Sequence, residues 1–164
     1  MFAKTSIIAG LASVRKELSE IYPHLNDDML DWAPAKGMRT IHGQFVEIAA
    51  TEKGIVDVLN GGDRQPQKEI EKELWACTTL GDLLNAIGDI RLDTLEFIVK
   101  LDEAQLSADA GLSPGFSKWL ELEVVTVEEA LRFLVRHESY HCGQLFSYLW
   151  AKGNDPYQWP DHAE

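Results

Sequence analysis

Basic side chains are the first scarcity: 15 lysines and arginines stand against 27 aspartates and glutamates, a net charge of -12 at pH 7 with the histidines neutral. Phosphate backbones and anionic bilayers are held by clustered cations. Here arginine and lysine are scattered singly or in pairs such as Arg15-Lys16, so nucleic acid and membrane are excluded as expected partners. Cysteine is nearly absent as well. Cys77 and Cys142 are too few for a disulfide framework and neither sits in a CxxC pair, which points to a cytoplasmic location. No run approaches the roughly 18 apolar residues of a membrane span. The short apolar run at 7–12 is followed at once by Arg15 and Lys16 within a continuing helical pattern, so it reads as helix rather than secretory signal. Alternating apolar residues are missing too, apart from a weak run at 120–125, and no internal repeat is present.

What the chain does have is a globular balance, 45% hydrophobic and 26% charged over 164 residues, which predicts one domain spanning residues 1–164. Ile7, Ile8, Leu11, Val14, Leu18 and Ile21 mark an amphipathic helix that Pro23 ends. Thr40 caps a second helix with the inward stripe Ile41, His42, Phe45, Ile48, Ala49, Glu52, Ile55, Val56 and Leu59, stopped by Gly61-Gly62. A short surface helix is predicted over 69–75. A third long helix follows Thr79, with Leu83, Ile87, Leu95 and Ile98 on its apolar face. Residues 102–125 read as a structured loop. Thr126 to Glu129 forms a T-x-x-E capping box that opens a last helix to Lys152. The expected architecture is all-α, a four-helix bundle with two long connections, and such bundles commonly hold metal ions between facing helices.

The inward stripe of the last helix reads Val127, Ala130, Leu134, His137, His141, Leu145 and Tyr148. One inward histidine is ordinarily a hydrogen-bonded core residue. Two at i and i+4 can both reach one ion, because such residues lie one above the other about 6 Å apart. His42 occupies the inward stripe of the second helix in its first turn, where the helix dipole keeps a ring neutral. His24, in the first loop, and His162, in the tail, read as solvent-facing. His137 to His141 is also literally H-E-x-x-H, the zinc-protease pattern. However, Gln144 and Ser147 stand where a metzincin has Gly and His, and only 23 residues follow His141. A protease is therefore not expected. Glu138 is a candidate catalytic group for proton transfer, with an exposed helix glutamate as the equal alternative.

The run from His137 through Glu138, His141, Cys142, Gly143 and Gln144 to Leu145 resembles the H-x-x-x-H-x-G-Q signature of DinB/YfiT-like proteins. His42, after Trp32, Pro34, Gly37 and Thr40, resembles that family's earlier histidine, and the end of the chain, from Leu149 to Pro156, resembles its L-x-x-x-G-x-x-P ending. The resemblance implies a helical bundle, often a homodimer, with a divalent metal ion held by three histidines, here His42, His137 and His141. Cys142 stands where members commonly carry Arg, and it reads as a buried inert thiol, about 100° around the helix from His141.

Three imidazoles without a thiolate leave coordination positions open, as catalytic sites do. The resemblance implies thiol transferases and isomerases that use low-molecular-weight thiols. The leading expectation is a metal-dependent S-transferase acting on a small-molecule electrophile. Metal-dependent hydrolysis and a non-catalytic metal-binding stress-response role stand as alternatives. Zinc and nickel both suit a nitrogen-rich site. The five tryptophans, Trp32, Trp75, Trp119, Trp150 and Trp159, read chiefly as core and loop anchors, with a pocket or a dimer contact as the alternative.

Overall fold

A computed structural model describes residues 2–63 and 65–160; His162 lies outside them. The secondary structure is helical: α1 (Phe2–Ile21), α2 (Ile41–Leu59), α3 (Gln67–Trp75), α4 (Leu80–Lys100), α5 (Glu103–Ser107), α6 (Pro114–Trp119) and α7 (Val127–Ala151). Among the described residues no β-strand forms, and one isolated bridge joins Asp109 to Thr126.

Three of the long helices, α2, α4 and α7, begin where the sequence supplies caps. Thr40 accepts from the Gly43 N–H, Thr79 from that of Asp82 and Thr126 from that of Glu129, each satisfying an amide that the first helical turn leaves unpaired. A box with both reciprocal bonds forms instead at Asp102 and Gln105. That pair opens α5 inside the segment expected to be loop. Gly153 closes α7 with φ near 83°, a left-handed conformation that glycine adopts without a Cβ penalty.

The four long helices pack in a ring, α1 on α7, α7 on α2, α2 on α4 and α4 on α1, while α3 lies on α2 and α5 on α7. Their buried stripes follow helical spacing: Ile7, Leu11, Val14, Leu18 and Ile21 on α1, and Leu83, Ile87, Arg91, Thr94 and Ile98 on α4. Two apolar clusters result. One gathers Leu18, Phe45, Leu83 and Leu145; the other gathers Leu11, Ile55, Ile98 and Leu131.

Between them lies a charged layer with one residue from each long helix: Arg15, Glu52, Arg91 and Glu138. Arg91 donates through Nε and Nη2 to the two oxygens of Glu52, at 2.7 and 2.8 Å, and through Nη1 to the Leu11 carbonyl at 2.9 Å. Its Nη2 also donates to Glu138 Oε2. Arg15 Nε donates to Glu138 Oε1 at 2.7 Å. Two positive and two negative groups thus cancel within the core, and shared hydrogen bonds offset the large desolvation cost of burying them.

Candidate metal centre

On α7 the i, i+4 spacing brings the two rings side by side. His137 and His141 face each other with Nε2 atoms 3.2 Å apart. The third donor comes from α2. A carboxylate oxygen of Glu47 and one nitrogen from each ring all lie within 4.8 Å of one another, and among the described residues this is the group of three that could hold an ion. Two nitrogens sharing a tetrahedral zinc at about 2.0–2.1 Å would stand roughly 3.3 Å apart, close to the observed separation. The residues therefore fit a divalent ion.

The surroundings set the protonation that ligation requires. Tyr148 Oη donates to the Arg39 carbonyl at 2.9 Å, and a carbonyl can only accept. The Tyr148 oxygen therefore accepts from Gln44 Nε2, at 2.9 Å. This turns Gln44 Oε1 toward His141 Nδ1, at 2.5 Å. Nδ1 must then carry the proton and donate, which leaves the Nε2 lone pair aimed at His137. Metal-ligating histidines are oriented in this way by a partner on the other ring nitrogen. Arg39 also donates to Glu47 Oε2 at 2.9 Å, leaving the second oxygen for an ion.

Burial pushes both rings down to about 4, helped for His137 by the neighbouring His141 and for both by the charge of Arg39. Desolvation disfavours the charged form, so at neutral pH both rings are uncharged.

His42 sits elsewhere. It is buried on α2, and its Nε2 lies 3.0 Å from the Leu74 carbonyl at the end of α3. That nitrogen must donate, which fastens the first turn of α2 to α3, while the ring lies against Trp75. The structure thus brings His137 and His141 together with Glu47 and not with His42. Five residues along a helix turn the side chain by about 140°, which separates the directions of His42 and Glu47. Glu138 is neither exposed nor beside the two histidines' ring nitrogens: it is 1% exposed, with its carboxylate bound by Arg15 and Arg91. Cys142 is buried as expected, and burial raises its thiol to about 12. His24 is half-buried and stacks on Trp159 at 3.7 Å, so it does not simply face solvent.

Glu47, Gln44, Arg39 and Tyr148 complete the centre without having been singled out in sequence as site residues. One signal was available. Glu47 is the only charged residue between Arg39 and Glu52, an isolated charge in a largely buried helix.

Glu47 and His137 also line a cleft of about 370 Å³ between α2, α7 and the two long connections. Its lining also carries Phe116, Trp119 and Phe133. A polar donor group at one end of a concave, largely apolar space is the usual form of a small-molecule site.

Fold and site together define an all-helical protein whose histidine and glutamate donors open on a cleft, an arrangement that fits metal-dependent function. A scan against protein families matches the DinB superfamily over residues 11–145, and the chain belongs to that superfamily. A search of functionally curated proteins finds no match. Among the described residues no helix is long and apolar enough to cross a membrane.

Proposed function

We propose that this chain is a metal-dependent enzyme that transfers a low-molecular-weight thiol to a small electrophile. Glu47, His137 and His141 are the protein ligands of one divalent ion, zinc or nickel. His42 serves as the anchor between α2 and α3. The observation that carries this reading is the convergence of those three donors, two of which, Glu47 and His137, lie on the wall of the cleft. A divalent ion bound there supplies Lewis acidity, which lowers the pKa of a coordinating thiol so that sulfur is nucleophilic near neutral pH.

The protein's own groups position the reactants. Gln44 fixes the His141 tautomer, Arg39 holds Glu47, and the aromatic wall covers the electrophile. In the net reaction a sulfur–carbon bond forms, the thiol proton passes to solvent, and the leaving group departs with its bonding pair. Hydrolysis is the second reading and is less well supported. Water starts from a pKa of about 15.7 and a thiol from about 8.5, so hydrolysis depends more on a protein base. Glu138, the residue expected for that role, is committed to two guanidinium groups.

Elemental analysis of untagged protein tests the metal. About one ion per chain is expected, lost in a His137→Ala/His141→Ala double variant and weakened in Glu47→Ala. Wild-type protein that takes up neither zinc nor nickel overturns the reading. Cobalt-substituted protein titrated with 2-mercaptoethanol then tests the thiol: a new sulfur-to-cobalt charge-transfer band is expected, and an unchanged spectrum overturns thiol transfer while leaving the metal centre standing.

A further inference from the structure

The two long connections build one wall of the cleft. The α4–α7 connection brings Leu112, Phe116 and Trp119, and the α2–α4 connection brings Gln65 and, at the start of α3, Gln67. Long connections that carry their own short helices are disproportionately functional.

Three aromatic rings line that wall. Phe116 meets Phe133 edge to face at 5.0 Å, Trp119 meets the same ring at 5.5 Å, and Phe133 lies 5.3 Å from the His137 ring. The aromatic surface therefore runs without interruption from the cleft mouth to a metal-donor ring. Phe133 is buried behind it, but Trp119 is 64% exposed. A large indole left uncovered beside a cleft is surface that a planar ligand would remove from water.

Charge narrows the class further. Among the described lining residues the one formal charge is Glu47, which Arg39 already pairs. Arg136 has its guanidinium 5.6 Å from the Phe133 centroid but does not line the cleft. The polar rim consists of neutral groups such as Thr51, Gln65, Gln67 and Ser113. In the metal-free protein an anion entering this space would lose hydration without gaining a cationic side chain among the described lining residues, inside a molecule of net charge -12. Small-molecule pockets span about 300–1,000 Å³, so this cleft is at the small end and suits a mono- or bicyclic compound.

We infer that the cleft binds an uncharged aromatic small molecule, with its ring against Phe116, Trp119 and Phe133 and its reactive end toward His137 and Glu47. As a statement about the electrophile this rests on the proposed thiol transfer; as a statement about binding it stands alone.

The test is an NMR titration of the metal-free and the zinc-loaded protein with 2-naphthol and, separately, 2-naphthalenesulfonate, which share a ring system and differ in charge. For 2-naphthol a Kd below about 1 mM is expected, with shifts at the Trp119 indole N–H and in residues 111–119. In the metal-free protein the sulfonate is expected to bind at least about tenfold more weakly. Trp119→Ala, at an exposed site that tolerates truncation, should weaken 2-naphthol about tenfold, whereas Trp150→Ala, on a different surface, should not. Equal or tighter binding of the sulfonate to the metal-free protein overturns the inference. So does a naphthol response that is absent, or that Trp150→Ala diminishes as much as Trp119→Ala. The zinc content and cobalt–thiol spectrum of the same preparations separate the two ideas. Naphthol binding with no thiol response sinks thiol transfer alone, and a thiol response without naphthol binding sinks the aromatic cleft alone.

Discussion

Gln44 shows how one neutral side chain governs a charged centre. Its amide has a donor end and an acceptor end, and the Arg39 carbonyl dictates, through Tyr148, which end faces His141. Replacing Gln44 by Leu removes the acceptor, strands a buried N–H and releases the ring to its other tautomer. Such partners typically contribute 10–100-fold in metal affinity. Competition with a chromophoric chelator is therefore expected to show zinc binding about 10–100-fold weaker in Gln44→Leu and retained in Gln44→Glu, which keeps the acceptor. Equal affinity in Gln44→Leu would mean that the relay does not position His141. The two α7 histidines were legible in the sequence because their partnership is local, four residues apart on one helix. Glu47 was not, since its partnership with them exists only once α2 and α7 pack. A glutamate on a helix ordinarily reads as solvated, and His42, on the stripe that does face the core, drew the assignment instead.

At the scale of elements, the long helices were legible because each carries a buried stripe at helical spacing, and α2, α4 and α7 each carry a threonine cap. The short helices α5 and α6 span 5 and 6 residues, too few turns for periodicity to show, and they emerged only from tertiary packing. The same limit hid the charged layer. Arg15 and Arg91 carry the residue type expected of an outer face, yet Arg91 is 6% exposed because two glutamates from other helices meet it. This layer ties α1, α2, α4 and α7 into one register, and its members depend on one another. Removing one partner from a buried pair leaves an uncompensated charge and costs about 3–5 kcal/mol. Glu138→Ala is thus expected to lose about that much stability in urea unfolding, with a smaller loss for Glu138→Gln, which keeps an acceptor. In both, the folded protein should still hold about one zinc per chain. Loss of zinc with stability unchanged would instead place Glu138 in the metal centre.

The whole molecule registers the centre through its dependence on pH. Metal-free protein folds with two imidazoles whose pKa values are lowered to about 4, against about 6.5 in an unfolded chain. Above pH 6.5 neither state binds these protons, and the rings have no effect on the pH slope. Between 6.5 and 4 the unfolded chain takes up protons that the folded one refuses, so stability falls as pH falls. Below about 4 both states are protonated and the loss is complete. Each pKa unit corresponds to about 1.4 kcal/mol per ring. Lowering the pH from 7 to 4.5 should therefore cost metal-free protein roughly 3 kcal/mol or more through the pair. The 27 carboxylates begin to titrate over the same range, so the comparison must be made against a His137→Asn/His141→Asn variant, which retains them. Chemical denaturation at a series of pH values, with chelator present, is expected to give a steeper acid loss in the wild type than in the variant. Saturating zinc adds a further stabilisation at pH 7, because it binds only the folded state, and that increment should fade as protons compete for the same nitrogens. Parallel curves for the two proteins would mean that the rings are not held neutral by the fold and that the centre is not prepared for a cation before one arrives.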